Sequence, residues 1–293
     1  MIPWASLLIQ DRPAFDGSGK RETGLVVKRS GKGARSSAGM ARRGSYNLIL
    51  SALARSLLSS ALSGCALSGT QDAEDPDRGE TFAYSTEGRP IRGSVIGQGP
   101  ETYLCFGVIH GNEPEGGPLL KRFVKHLEER PALLEGRKVV VIPVLNPDGL
   151  ERKSRTNARG VDLNRNFPAR NWRPNPRHGD APASERETRA LLKILRQFRP
   201  SRILSIHSPL HCVNFDGPAE EIAQNMARAS GYPLRSSIGY ETPGSLGSYA
   251  GDDLLVPTVT LELPRNTRER ELWPRLVGAL EEFMTTPEPA AGN

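Results

Sequence analysis

The sequence predicts an α/β fold, with a mixed, mostly parallel central sheet and helices on both faces. Short apolar runs typical of buried strands alternate along the chain with segments whose apolar residues recur at helical spacing. Such an alternation favours a sheet covered by helices. In addition, three of the apolar runs are followed at once by a histidine or a glutamate. Open α/β sheets bind ligands at the carboxyl ends of their strands, so these residues are candidates for a functional site.

Four runs rich in Val, Ile and Leu are predicted as buried strands: 103–109, 139–144, 203–206 and 258–261. The first leads to His110, the third to His207 and the fourth to Glu262. Helices are predicted between and after these strands, over 119–127, from Ser184 onward, and over about 220–230 and 269–284. The start at Ser184 is predicted because Ser184 and Glu187 have the spacing of a capping box.

The two ends of the chain are predicted to lie outside the folded domain. Residues 1–39, rich in Gly, Ser and charge, are predicted to be a disordered or untranslated leader. Residues 40–65 begin with Met-Ala-Arg-Arg, continue as a mostly apolar stretch and end in Leu-Ser-Gly-Cys. This pattern resembles a bacterial lipoprotein signal peptide with its lipobox. Residues 66–84 are predicted as a polar linker, 85–286 as the folded domain and 287–293 as a flexible tail.

The lipobox interpretation identifies Cys65 as the lipidated residue. It predicts an exported protein, lipid-anchored on the periplasmic side of the bacterial envelope, with that anchor as its only membrane contact. Arg55 lies within the apolar stretch and counts against the interpretation, because charge is costly there. The alternative is a chance cysteine after a weakly helical segment, in a cytoplasmic protein.

The distribution of charge argues against nucleic acid as a partner. The 293-residue chain has 39 Lys+Arg and 33 Asp+Glu, a net charge of +6. Ten of the basic and three of the acidic residues lie in the first 64 positions, so these carry +7 and the rest carries −1. A basic protein suggests a polyanionic partner, but here the basicity belongs to the leader. Three cysteines exclude a disulfide scaffold, and no apolar run reaches the roughly 20 residues of a spanning helix.

The sequence His110-Gly-Asn-Glu113 places two potential metal ligands three residues apart, so both can reach one ion from a single turn. Alone, this spacing is common by chance. With His207 it completes two histidines and one carboxylate, which is a ligand set of hydrolytic zinc sites. The alternative for His207 by itself is a hydrogen-bonded histidine of the core.

The segment 146–168 indicates which kind of hydrolytic zinc site the chain contains. It contains Asn-Pro-Asp-Gly at 146–149, Arg-Lys-Ser-Arg at 152–155 and Gly-Val-Asp-Leu-Asn-Arg-Asn-Phe at 160–167. Together with the two histidines and two glutamates above, these motifs resemble the zinc carboxypeptidase family, the carboxypeptidase A superfamily, over about residues 85–285. The resemblance implies a metallopeptidase that binds one zinc ion.

The resemblance also implies a role for each matching residue. His110, Glu113 and His207 match the zinc ligands, Glu262 the general base and acid, Arg155 the arginine that stabilises the oxyanion, and Asn164 with Arg165 the pair that binds the substrate's terminal carboxylate. Elementary chemistry agrees with the last role, because the planar fork of a guanidinium suits a carboxylate.

Within the family, the motifs at 160–168 and 239–248 resemble the murein peptide amidases. They imply a murein peptide as substrate, cut at the amide between γ-D-glutamate and diaminopimelate. An acid should meet the side-chain ammonium of diaminopimelate, and Asp252 is the first candidate and Asp216 the second. Tyr240 and Tyr249 are equal candidates for the phenol of the digestive carboxypeptidases. The alternative for these four residues is a structural role in loops.

Two other functions stay open at this point. One is a zinc carboxypeptidase for ordinary peptides or other modified C-termini, because the motifs specify the chemistry better than the substrate. The other is a non-catalytic cell-wall-binding module that keeps the fold. The complete set of candidate ligands, base and arginines argues against the second.

Overall fold

The computed structural model describes residues 79–287. The predicted leader and signal peptide, including Cys65, lie outside these residues, as do most of the predicted linker and tail. No helix within the described range is both long enough and apolar enough to cross a membrane.

The described residues form one eight-stranded sheet. Its strands are β1 (Glu80–Tyr84), β2 (Pro90–Gly97), β3 (Glu101–Gly107), β4 (Arg137–Ile142), β5 (Arg202–His207), β6 (Cys212–Asp216), β7 (Leu234–Arg235) and β8 (Thr258–Glu262). They are ordered β1-β2-β4-β3-β5-β8-β6-β7. The central neighbours β4, β3, β5 and β8 are parallel, as are β6 and β7. The pairs β1–β2, β2–β4 and β6–β8 are antiparallel, so the predicted mixed, mostly parallel sheet is confirmed.

Five α-helices accompany the sheet in this part of the chain: α1 (Gly116–Glu129), α2 (Pro147–Glu151), α3 (Arg186–Phe198), α4 (Glu220–Ser230) and α5 (Glu269–Thr285). Three 3₁₀ turns lie at Pro131–Leu134, Leu163–Arg165 and Pro176–His178, and a π-helix spans Gly247–Asp253.

The central strands are buried on both faces, so their side chains supply two hydrophobic cores in alternation. Cys105 of β3 and Val141 of β4 face the core that α1, α4 and α5 cover. Leu104 and Val140, one residue earlier on the same strands, face the core that α3 covers. Helices therefore lie on both faces of the sheet, as predicted.

Strand register brings the candidate site residues to one edge of the sheet. On β5 and β8, His207 lies opposite Glu262 as the last residue of each strand. The neighbouring strand β3 ends at Gly107, and Val108 then adopts a left-handed conformation with φ of 52°. A β-branched residue rarely adopts such a φ, and here it turns the chain toward His110 at the carboxyl edge.

The sequence predictions for the centre of the sheet are confirmed, with shifts of a few residues at the strand ends. The predicted capping box is wrong. α3 begins at Arg186, and Ser184 Oγ donates to Glu185 Oε1 at 2.7 Å instead of capping the helix. The outer strands β1, β2, β6 and β7 were not predicted. They are partly exposed and mix polar with apolar residues, so they lack the continuous apolar runs that identified the central strands. The sheet consequently begins at Glu80, inside the predicted linker.

Candidate metal and catalytic site

A cavity of about 220 Å³ opens at the carboxyl edge of β5 and β8. Its lining includes most of the residues singled out in the sequence: His110, Glu113, Arg155, Asn164, Arg165, His207, Asp216, Tyr240 and Glu262. These residues come from separate strands and loops, so the fold brings together side chains up to about 150 positions apart in the chain.

Three buried side chains converge at the base of the cavity. His110 Nδ1 lies 3.0 Å from Glu113 Oε1, and His207 Nδ1 lies 3.0 Å from Glu113 Oε2. One potential ligand atom from each of the three residues lies within 4.8 Å of the others. His110 Nδ1 is buried, and among the described residues it makes no hydrogen bond, because its 3.0 Å contact with Glu113 Oε1 lacks hydrogen-bond geometry. A buried imidazole nitrogen without a hydrogen bond, beside a carboxylate and a second imidazole, fits a metal site, because polar atoms are seldom buried unsatisfied.

Asp162 orients the first histidine from behind. Its Oδ1 is hydrogen-bonded to His110 Nε2 at 3.0 Å, which leaves Nδ1 directed toward Glu113 and His207. Carboxylates commonly hold the outer nitrogen of metal-binding histidines in this way. The sequence analysis quoted the motif that contains Asp162 but gave the residue no role. The signal that could have revealed it is an acid inside that motif, two residues before Asn164.

Arg155 lies beside the same carboxylates. Its Nε donates to Asp162 Oδ2 at 2.8 Å and its Nη1 donates to Glu113 Oε1 at 3.2 Å. Burial raises the pKa of Asp162, but the hydrogen bond with His110 and the charge of Arg155 outweigh it and hold that pKa well below its usual range. Burial likewise opposes ionisation of Glu113, whereas its contacts with His110 and His207 bring its pKa well below the ordinary value. Both acids are therefore ionised throughout the physiological range.

Glu262 faces the cavity from the end of β8. Its side chain is largely buried, and its Oε2 accepts a hydrogen bond from the backbone N–H of Leu210 at 3.2 Å. The strand register already places it next to His207. A carboxylate in this position can exchange a proton with a water molecule held in the cavity.

Asn164 and Arg165 also line the cavity. Asn164 Oδ1 accepts from the backbone N–H of Leu246 at 2.9 Å, and Arg165 Nη1 donates to the carbonyl of Asn164 at 2.7 Å. Burial is the main cause that lowers the pKa of Arg165, and the nearby charge of Arg155 adds to it. Two arginines that share one cavity favour an anionic ligand.

The chain matches known proteins over most of the described range. The model of the zinc carboxypeptidase family matches residues 71–268. The chain belongs to the zinc carboxypeptidase family. It is 37% identical over 180 residues to murein peptide amidase A of Escherichia coli strain K12, in an alignment that covers 56% of this chain and 72% of that protein.

Solved structures of zinc carboxypeptidases share the fold. Murein-tripeptide amidase MpaA from Escherichia coli O157 is 30% identical, with a TM-score of 0.57 over 70% of this chain and 90% of that chain. Bovine thrombin-activatable fibrinolysis inhibitor is 20% identical, with a TM-score of 0.62 over 71% of this chain and 89% of that chain. At that lower identity the likeness shows the fold alone. Family membership and the amidase relatives make this protein a hydrolase of the peptidase class.

The two candidate tyrosines lie in different environments. Tyr240 is 57% exposed and lines the cavity. Tyr249 is buried, stacks on Phe167 with ring centroids 6.3 Å apart, and belongs to the core on the α3 side. The π-helix that begins at Gly247 places Tyr249 in this core. Of the two candidate tyrosines, only Tyr240 lines the cavity.

The two candidate aspartates also differ in their position relative to the cavity. Asp216 lines the cavity at the end of β6, whereas Asp252, the first candidate from the sequence, is exposed on the π-helix and is absent from the lining within residues 79–287. Burial, with the charge of Asp252 as the second cause, raises the pKa of Asp216 to about 6. The order of preference between the two is therefore reversed, because the turn of the π-helix directs Asp252 outward.

Replacing Asp162 tests whether it holds His110 for metal binding. We expect Asp162→Ala to lower the affinity of the protein for zinc by about 10- to 100-fold, the range found when groups behind metal ligands are removed. Competition with a chromophoric zinc chelator measures this affinity. Asp180→Ala is the matched control, because Asp180 is 84% exposed and pairs only with the exposed Arg159 among the described ion pairs. Equal zinc affinity in the Asp162 variant and the parent would show that Asp162 does not position the ligand.

Proposed function

We propose that this zinc carboxypeptidase hydrolyses the amide between γ-D-glutamate and diaminopimelate in murein peptides. The observation that carries the proposal is the arrangement of charge in the cavity. Arg155 and Arg165 lie near the candidate metal ligands, and Asp216 lies in the same lining. Diaminopimelate carries both carboxylates and a side-chain ammonium, so it complements cations and an anion together.

His110, Glu113 and His207 are the residues that would hold the zinc ion. Two imidazole nitrogens and one carboxylate are the protein ligands of a catalytic zinc site that keeps a position open. Such an ion polarises the substrate carbonyl and lowers the pKa of water. The fit rests on the grouping of the three donors and on the unpartnered Nδ1 of His110.

Glu262 is the general base and acid in this proposal. Its carboxylate takes a proton from the water that attacks the amide and then gives that proton to the leaving amine. The hydrogen bond from Leu210 N fixes Oε2 and directs the carboxylate into the cavity. Arg155 stabilises the negative charge that develops on the carbonyl oxygen. This charge is present in the transition state but not in the substrate.

Asn164, Arg165 and Asp216 bind the residue that is released. The guanidinium of Arg165, with Asn164 beside it, accepts the terminal carboxylate through paired hydrogen bonds. Asp216 accepts the side-chain ammonium. Tyr240 closes over the bound residue in this proposal, which its exposure and its position in the cavity lining support.

The same chemistry on ordinary peptides is the main alternative. It differs in the role of Asp216, because only a substrate with a side-chain cation gains from that carboxylate. A non-catalytic cell-wall-binding module is the other alternative, and it predicts no turnover of any peptide.

For the cellular location we propose lipid anchoring through Cys65 in the bacterial envelope, on the sequence pattern alone. Cys65→Ser should abolish labelling by a fatty-acid probe and release the protein from the membrane fraction. Ser60→Ala, in the apolar stretch but away from the cysteine, should keep both. Unchanged labelling and membrane association in Cys65→Ser would favour the cytoplasmic alternative.

Replacing the general base tests the mechanism. Glu262→Gln keeps the shape of the side chain and an acceptor for Leu210 N but cannot take a proton. We expect kcat to fall by about 1000-fold, within the range for loss of a general base, while zinc content stays that of the parent. Glu271→Gln, at an exposed position of α5, should leave kcat unchanged. Hydrolysis at the parental rate in Glu262→Gln would refute the assigned role.

The pH dependence of substrate preference tests the role of Asp216. Its raised pKa of about 6 means that the carboxylate is largely neutral below that pH and ionised above it. The ratio of kcat/KM for peptides ending in diaminopimelate to kcat/KM for peptides ending in an uncharged residue should rise as pH increases through about 6. Asp216→Asn should lower this ratio about 10-fold at pH 7.5, as expected for a lost hydrogen bond to a charged group, and remove its pH dependence.

Asp252→Asn is the matched control for that measurement. Asp252 lies outside the described cavity lining but raises the pKa of Asp216 through its charge. The variant should keep the preference and move its midpoint to lower pH. A preference that survives in Asp216→Asn would support the ordinary-peptide alternative.

A further inference from the structure

Glu115 is a buried carboxylate behind the cavity with no role in the chemistry above. It follows Glu113 by two residues, directly precedes α1, and is 7% exposed. The side chains that usually cap a helix from this position are the shorter ones of Asp, Asn, Ser and Thr. The side chain of Glu115 makes no capping hydrogen bond to α1. Its charge still benefits from the N-terminal end of the helix dipole, and both of its oxygens reach other segments.

Each oxygen of Glu115 holds one loop. Oε2 accepts a hydrogen bond from Ser208 Oγ at 3.0 Å, and Oε1 accepts one from the backbone N–H of Asn266 at 2.7 Å. Ser208 directly follows His207 on β5, and Asn266 lies four residues after Glu262 on β8. One carboxylate therefore joins the segments that carry a candidate zinc ligand and the candidate general base.

The loop that begins at Ser208 contacts both acids of the site. The backbone N–H of Ser208 donates to Glu113 Oε2 at 3.3 Å, the oxygen that lies 3.0 Å from His207 Nδ1. Two residues later, Leu210 N donates to Glu262 Oε2. A shift of Ser208 would therefore move the donors that orient Glu113 and Glu262 at the same time.

Each loop also contains one residue in the left-handed region. His211 and Asn266 have positive φ values of 51° and 59°. Histidine and asparagine adopt this region more readily than most residues, and neighbouring contacts help to hold it. The hydrogen bond from Asn266 N to Glu115 acts directly on the second of these residues, and the bond from Ser208 acts three residues before the first.

We propose that Glu115 is a positioning residue, which fixes Glu113 for metal binding and Glu262 for proton transfer through Ser208 and Asn266. It does not line the cavity formed by the described residues, so it acts through these neighbours and not on the substrate. The proposal rests on the zinc site of the proposed function.

Three variants of the full chain separate this role from simple stabilisation. Glu115→Ala removes both hydrogen bonds, and Ser208→Ala removes only the one from Ser208 Oγ. Glu115→Gln keeps an oxygen for Asn266 N, and its amide can donate to Ser208 Oγ. Glu281→Ala is the matched control, because Glu281 links α5 to α1 through His126 and Arg130, away from the cavity lining.

Zinc affinity by chelator competition and steady-state kinetics are the readouts, both at a temperature where every variant is folded. We expect Glu115→Ala to lower zinc affinity and kcat by about 10-fold each, at the lower end of the effect of groups behind metal ligands. KM should stay within about twofold, because Asn164, Arg165 and Asp216 are untouched. Ser208→Ala should lose about threefold in both quantities, and Glu115→Gln and Glu281→Ala should match the parent.

Parental zinc affinity and kcat in Glu115→Ala would overturn the proposal, as would an equal loss in Glu281→Ala. If Glu115→Ala does not fold, Ser208→Ala decides, and parental values in that variant overturn the proposal. A parent protein that binds no zinc would instead refute the proposed function, so the two failures are distinguishable.

Discussion

The carboxylate of Glu113 is the group on which the rest of the site depends. His110 Nδ1, His207 Nδ1, Arg155 Nη1 and the backbone N–H of Ser208 all lie within 3.3 Å of its two oxygens. A buried charge is costly unless it is paired and hydrogen-bonded, so these four groups must stay where they are. They come from the segment after β3, from the last residue of β5 and the residue that follows it, and from the 152–162 loop. Their shared partner, Glu113, fixes the geometry of this edge of the sheet.

Acidic and basic side chains alternate along the series of contacts that starts at Glu113. Arg155 bridges Glu113 and Asp162, Asp162 holds His110, and Arg165 lies beyond them in the same cavity. Glu113 and Asp162 are paired with partners of their own, so the guanidinium of Arg165 is available to bind an anionic group of a ligand. Asp216 supplies a negative charge for a cationic group of the same ligand. A zwitterionic amino acid at the end of a peptide complements this pattern, which connects the packing of the sheet edge with the proposed choice of substrate.

The sequence was sufficient for the features that local pattern controls. Apolar runs identified the central strands, and parallel strands end at a common edge, so His110, His207 and Glu262 could be predicted to converge. The strand pattern does not reveal Asp162 and Glu115, because neither follows a predicted strand and their hydrogen-bond partners lie 52 residues away in the first case and 93 and 151 residues away in the second. For Asp162 the one local signal is an acid inside the 160–167 motif. The choices between Tyr240 and Tyr249, and between Asp216 and Asp252, depend on how the π-helix at 247–253 turns, which a single sequence does not reveal.

The most direct test of the central claim is product analysis with metal-stripped and zinc-reconstituted protein. The substrate is the tripeptide L-Ala-γ-D-Glu-diaminopimelate, and mass spectrometry follows the release of diaminopimelate. The account predicts that release appears only after zinc is restored, at about one ion per chain, and that L-Ala-D-Glu is the other product. Release that proceeds at the same rate without zinc, or its failure in fully reconstituted protein, would contradict the account.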